Sequence, residues 1–287
     1  MSNKTTVKYL KKYGPCYQAQ KKFKANAKKY PGPVSYHNLG VYYYMYGTET
    51  PEGKVRSANA LSLKYLRRAH EQNSALFENL MYLGRIANMK HQYNEAVVWF
   101  QKALEVSDVF ISHYLLASSY YKIEEFEKAA AHFQNSWNLC ENEDDRFAVK
   151  LAYAFSVWQT DHNKGRDVLF EIINNGCLDL EPDVLALSFL CSEYELTYQL
   201  SETTFQKWHI DLFTLAMIME CYFKLEKEIE AKEFFNGFIE NLKGYEYNIK
   251  PEMRGAQKIF KDGEYRRKII NEFKFIPLWI DTEYFTY

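Results

Sequence analysis

A short pattern recurs every 33 residues, and that recurrence constrains the fold more than any other feature of the chain. Leu80-x2-Leu83-Gly84-x2-Ala87 is followed at helical spacing by Ala96-x3-Phe100-x2-Ala103. Thirty-three residues on, His113-x2-Leu116-Ala117-x2-Tyr120 precedes Ala129-x3-Phe133-x2-Ser136, and the linker Tyr93-Asn94-Glu95 aligns with Phe126-Glu127-Lys128. Upstream, Tyr36-x2-Leu39-Gly40-x2-Tyr43 repeats the first half, while its second half, Ser62-x3-Leu66-x2-Ala69, comes 10 residues late. The delay holds Gly47, Pro51 and Gly53, a turn-forming insertion. Apolar positions three and four apart place each half on one helix face. A Gly or Ala on the first helix lets the second approach, and an Ala followed by a large residue fills the facing groove. No such pair buries its apolar face alone, so neighbours must stack.

Composition agrees with helices. Gly and Pro together number 19 of 287 residues, too few for a many-turned sandwich or barrel. Hydrophobic residues at 47% and charged residues at 25% exclude a disordered or fibrous chain. The longest apolar stretches, around Val184–Cys191 and Leu212–Met219, fall far short of the roughly 20 residues a membrane span needs. The lysine-rich N-terminus has no apolar run after it and does not read as a secretory signal. Cys16, Cys140, Cys177, Cys191 and Cys221 show no metal-ligand or disulfide spacing. A cytoplasmic protein without cofactor or bound metal is the expectation.

The pattern decays outside the middle. Leu151-Ala152-x2-Phe155 with Gly165-x3-Leu169-x2-Ile172 needs one extra residue. Leu215-x2-Ile218-Met219-x2-Tyr222 with Ala231-x3-Phe235-x2-Phe238 keeps the spacing but puts Met219 and Phe238 at the small positions. Pro182 is expected to start a helix through Gln199. Ala19-x3-Phe23-x2-Asn26 reads as the second helix of an N-terminal unit, and Pro251 opens a helix interrupted at Asp262-Gly263.

The motif resembles the tetratricopeptide repeat, a helix–turn–helix unit of about 34 residues. The resemblance is clearest over residues 36–136 and implies an all-α, right-handed α-solenoid of about six or seven helix pairs with a C-terminal capping segment. Boundaries are expected at 1–35 for a basic N-terminal segment, 36–245 for the superhelix and 246–287 for a C-terminal helix and aromatic tail. The tail beginning Phe275-Ile-Pro-Leu-Trp reads either as a cap on the stack or as a segment lying in a groove, its own or a neighbour's.

The resemblance also implies a function. In this family the first helices line a concave groove that receives an extended peptide or partner helix. The corresponding positions here are His37, Val41, Tyr44 and Met45, then Met81, Arg85, Asn88 and Met89, then Tyr114, Ser118, Tyr121 and Lys122. Tyr and Met supply adaptable apolar contact, and Arg85, Asn88 and Lys122 can fix a backbone or carboxylate. A carboxylate clamp of the chaperone-binding type is not expected. Asn38 matches one clamp residue, but Glu78 and Tyr82 stand where Lys and Arg belong. A further resemblance is to bacterial regulators that sense short peptides, although 35 residues are too few for their usual N-terminal output domain.

Charge is unevenly distributed along the chain. Residues 1–100 hold 16 Lys and Arg against 5 Asp and Glu, whereas residues 101–246 hold 12 against 26. Lys4, Lys8, Lys11 and Lys12, then Lys21, Lys22, Lys24, Lys28 and Lys29, are interleaved with Tyr9, Tyr13, Tyr17 and Phe23. That mixture suits a solvated end helix, an acidic protein partner, a second copy of the chain, or phosphate contact and base stacking on nucleic acid. Catalytic signatures are lacking: there is no phosphate-binding Gly-rich loop, nucleophile elbow or HExxH. Asp161-His162 and His209-x-Asp211 sit where helix-end polar residues are ordinary. The expectation is a non-enzymatic interaction protein with a peptide or protein partner.

Overall fold

The computed structural model describes residues 17–49, 55–174, 182–207, 210–243 and 250–277. Among them are 15 helices: α1 Tyr17–Lys29, α2 Pro33–Tyr46, α3 Asn59–Gln72, α4 Phe77–Met89, α5 Tyr93–Val106, α6 Phe110–Lys122, α7 Phe126–Leu139, α8 Glu143–Thr160, α9 His162–Asn174, α10 Pro182–Leu190, α11 Tyr194–Lys207, α12 Leu212–Lys224, α13 Glu228–Lys243, α14 Lys250–Lys261 and α15 Gly263–Asn271. The insertion between α2 and α3 carries a two-residue antiparallel ladder, β1 Thr48–Glu49 with β2 Val55–Arg56. The class is all-α, built from helix–turn–helix pairs. Two compact units are distinguished, the first ending at Val149 and the second beginning at Lys150, within α8. This division falls elsewhere than the boundaries drawn from the sequence at 35/36 and 245/246.

In the first unit the repeated small residues do what their spacing suggests. A Cβ on Gly40 would stand 2.7 Å from the Leu66 side chain, and one on Gly84 would stand 2.5 Å from the Phe100 ring. The outer helices bury one stripe each: Ser62, Leu66 and Ala69 on α3; Ala96, Val97, Phe100 and Ala103 on α5; Ala129, Phe133 and Ser136 on α7. α1 buries Ala19, Phe23 and Ala27 against α2, so Ala27 takes the place expected of Asn26. The inner helices α2, α4 and α6 are buried on nearly all sides.

The turns carry a second repeat. His91, Glu124, Ser192 and Glu226 all have left-handed backbone, with φ of 58°, 65°, 63° and 57°. In each case the next residue's N–H bonds back to the preceding helix: Gln92 to Ala87 O, Glu125 to Tyr120 O, Glu193 to Ser188 O and Lys227 to Tyr222 O, at 2.9–3.0 Å. The turn at Ser192 corrects one expectation. The helix opened by Pro182 does not run through Gln199; it stops at Leu190, and α11 starts at Tyr194. The stripe α11 buries is Thr197, Ser201 and Thr204. Ser188 Oγ lies 2.9 Å from Thr197 Oγ1 and Ser201 Oγ donates to Tyr198 O at 2.7 Å, while Thr204 Oγ1 is buried without a hydrogen-bond partner among the described residues, so hydroxyls stand where the outer helices of the first unit carry small and large apolar residues.

In the second unit α12 is the centre, packed by α10, α11, α13, α14 and α15. Asp211 and Asp262 cap α12 and α15, their carboxylates accepting from Thr214 N at 2.8 Å and Tyr265 N at 3.0 Å. A buried ion pair holds α15 on α12. Arg266 Nε donates to Glu220 Oε2 at 3.0 Å and Nη1 to Ile259 O at 2.9 Å, with the guanidinium 4.2 Å from the Phe223 ring. Beyond α15, Phe275 stacks on Phe155 of α8 at 3.9 Å with the rings 6° from parallel. The aromatic residues after Pro277 lie outside the described residues.

Candidate interaction surface

Helices α2, α4 and α6 supply the residues at the family's inward positions. Three side chains converge on one ring. Tyr82 has Tyr44 edge-on at 5.2 Å, His37 at 5.9 Å and the Arg85 guanidinium at 6.0 Å. His37 Nδ1 lies 3.2 Å from Asn79 Oδ1, and Asn79 Nδ2 donates to Leu66 O at 2.9 Å, which ties α2, α3 and α4 together. Burial lowers the His37 pKa, opposed by the Asn79 hydrogen bond, so the imidazole is favoured in its neutral form. In the sequence Tyr82 stands only at a clamp position that it does not match. The signal that would have found its role is its place three residues before Arg85 on one helix face.

The other inward positions divide into two kinds. Val41 and Met81 are fully packed. Tyr114 stands edge-on to Phe133 at 5.4 Å and Tyr121 edge-on to Phe126 at 5.2 Å, both directed at α7. Asn88 accepts from Ser119 Oγ at 3.1 Å and so links α4 to α6, while Ser118 Oγ turns back to Tyr114 O at 2.9 Å. Lys122 is half-buried. Met45 and Met89 remain exposed at 44% and 51%. An apolar cavity of about 320 Å³ opens at the start of α4 and α6, lined by Phe77, Val109, Phe110, Ile111 and Leu139, with Glu141 and Asn142 beside it.

No protein-family model matches the sequence, and no curated protein matches it. The backbone is similar to the crystal structure of a tetratricopeptide repeat protein from Parabacteroides merdae ATCC 43184. The two are 12% identical, with a TM-score of 0.58 over 93% of this chain and 95% of that one. The fold is that of a tetratricopeptide-repeat protein. Weaker likenesses are to Pseudomonas aeruginosa pilF, 14% identical with a TM-score of 0.49 over 89% and 96% of the two chains. MamA from Desulfovibrio magneticus RS-1 follows at 14% and 0.47 over 60% and 90%.

On this tetratricopeptide-repeat framework the remaining polar clusters read as packing. Asp108 Oδ1, His113 and His132 form a chain across the α6–α7 pair, with Asp108 Oδ1 2.8 Å from His113 Nε2 and the two Nδ1 atoms 2.8 Å apart. Tyr120 stacks on His132 and accepts from Gln101 Nε2 at 2.8 Å. Burial, and then the His113 charge, lowers the His132 pKa. Burial pushes the Cys191 thiol up to about 11 and the Cys221 thiol to about 12, away from reactivity. Asp161 Oδ1 accepts from Lys164 N and Asp211 Oδ1 from Thr214 N, so both acids serve as helix caps. Among the described residues no group of His, Cys, Asp and Glu could hold a metal, and no helix is long and apolar enough to cross a membrane. Lys4, Lys8, Lys11, Lys12, Cys16, Cys177 and His209 lie outside the described residues.

Proposed function

We propose that this chain is an interaction protein without catalytic activity, and that the inner face of α2, α4 and α6 receives an extended peptide or a segment of a partner protein. The observation that carries the reading is the convergence of His37, Tyr44 and Arg85 on the Tyr82 ring. Aromatic faces with a polar edge, a guanidinium over a ring and two methionines at the rim suit a chain that offers apolar side chains and backbone carbonyls. The direct test immobilises the wild type beside Arg85→Glu/Asn88→Ala and Tyr82→Ala and exposes all three to lysate. A protein kept by the wild type, lost by both variants and bound again in purified form names the partner. Equal retention by all three overturns the reading.

The basic helix α1 supports a second reading, in which nucleic acid is the partner. Lys21, Lys22, Lys24, Lys28 and Lys29 stand on α1 without an acidic residue, and the Lys29 ammonium lies 5.1 Å from the ring of Tyr30, which is 60% exposed. Binding of short DNA or RNA that weakens steeply with salt supports this reading. Absence of binding at low salt removes it.

A further inference from the structure

At the start of α4 and α6 the first unit leaves an apolar space unfilled. The cavity measures about 320 Å³, and Phe77, Val109, Phe110, Ile111 and Leu139 form its apolar wall. Phe77 and Phe110 hold the same position in successive 33-residue repeats, and each opens its helix. Hydrogen bonds behind the wall hold it in place. Ser136 Oγ donates to Phe110 O at 2.8 Å, and Ser112 Oγ donates to Val109 O at 2.7 Å while accepting from Val109 N at 3.3 Å. Leu139, the last residue of α7, lines the cavity and is nevertheless 44% exposed, so the space opens to the surface there. Water in such a space finds few polar partners, which favours an apolar group in its place. The volume lies at the lower end of the range for ligand pockets, about 300–1,000 Å³, and suits one bulky side chain.

We propose that this cavity is an anchor site for a partner segment that carries one aromatic or long aliphatic side chain between lysines or arginines. The site is separate from the Tyr82 cluster and does not depend on the groove reading. Charge selects the occupant. Glu141 stands beside the apolar wall, and Asp108 directly precedes Val109 within it. The Asp108 side chain is 74% exposed although its Oδ1 lies 2.8 Å from His113 Nε2, so its charge faces solvent. Residues 103–121 and 129–145 supply every lining residue except Phe77. They hold no Lys or Arg, against Glu105, Asp108, Glu141, Glu143, Asp144 and Asp145. Arg146, the next cation in the chain, is engaged by Glu143 at 3.8 Å and lies 5.5 Å from the Trp137 ring. The acids belong to two segments, one beside Val109 and one beyond Leu139. A chain with a cation on either side of its anchor meets both, whereas a single small amine does not.

The test titrates the full chain calorimetrically with the peptides Lys-Lys-Trp-Lys-Lys, Lys-Lys-Ala-Lys-Lys and Glu-Glu-Trp-Glu-Glu, and with N-acetyltryptophanamide. The first should bind at least about tenfold more tightly than each of the others, the effect expected of a buried aromatic anchor. Leu139→Asn, at a part-exposed position, should weaken the first peptide about fivefold and leave the alanine peptide unchanged. Glu141→Gln should weaken both lysine peptides by up to about fivefold. An alanine peptide as tight as the tryptophan one shows that charge alone binds, and an acidic peptide as tight shows that charge does not select. N-acetyltryptophanamide as tight as the pentapeptide makes the cavity a small-molecule site. Each of these overturns the proposal, as does an unchanged affinity in a folded Leu139→Asn variant or no binding of the first peptide by the wild type. If Leu139→Asn does not melt cooperatively, the peptide series on the wild type decides by itself. Self-association of the wild type that excludes the peptide until dilution gives the cavity to a second copy and also overturns the proposal.

Discussion

The two units share a turn and differ in how they fill the space between helices. In the first, Gly40 receives Leu66 and Gly84 receives Phe100, one small residue against one large one in successive pairs. In the second, the same left-handed turn recurs at Ser192 and Glu226, yet the interfaces are individual. α11 offers Thr197, Ser201 and Thr204, α12 puts Met219 where a Gly or Ala is expected, and α15 is fixed by Glu220 and Arg266. Backbone geometry is therefore the conserved part of this architecture, and side-chain packing is replaceable wherever the local volume and hydrogen bonds close.

The largest effect is expected where the second unit relies on charge. Arg266→Met leaves Glu220 buried without its main partner and should cost about 3–5 kcal/mol, seen as a large drop in the urea midpoint. The paired change Glu220→Leu/Arg266→Met should recover most of it. A small loss for the single variant would mean that Arg267, 3.7 Å from Glu220, suffices.

A smaller loss is expected in the first unit. Gly84→Ala brings a Cβ to 2.5 Å from Phe100 and should cost about 1–3 kcal/mol by overpacking, relieved when combined with Phe100→Leu. A neutral thermal shift would show that these pairs are looser than their geometry implies.

Acid should weaken the first unit selectively. Burial lowers the pKa of His37, His70 and His132. Between their folded values and about 6.5, the unfolded chain binds more protons than the folded one, so stability rises with pH across that window. Stability is accordingly lost as the pH falls below about 6.5. Melts at stepped pH should show His132→Asn with a shallower dependence than the wild type. An unchanged slope would place the acid sensitivity elsewhere.

The smallest effect has the opposite sign. A Cβ on Gly237 in α13 would meet only the Phe205 ring, at 3.5 Å, an ordinary contact. Gly237→Ala should therefore raise stability by up to about 1 kcal/mol through helix propensity. A fall comparable to that of Gly84→Ala would erase the contrast between the units.

What could be read in the chain follows the same line. The stripes of α3, α5 and α7 were legible residue by residue because spacing along one helix fixes which side chains share a face. The turn inside 182–207 was not, since Ser188, Ser192 and Thr197 carry no apolar period and a left-handed serine leaves little trace in sequence. For the inner face, sequence named helices and positions but not orientations. Tyr114 and Tyr121, counted as groove residues, pack on Phe133 and Phe126, whereas Tyr82 stands at the centre of the cluster.

The sequence by itself determined the all-α class, the 33-residue unit, the insertion after α2 and the small residues through which paired helices approach. These depend on local periodicity and on volumes a few residues apart. Only the tertiary structure decided that His37, Tyr44 and Arg85 meet at Tyr82, that Glu220 finds Arg266 46 residues away, and that the inner helices are closed on nearly all sides. Those outcomes depend on the rotation of each helix about its own axis, which is set by the summed packing of several neighbours and is written in no single repeat.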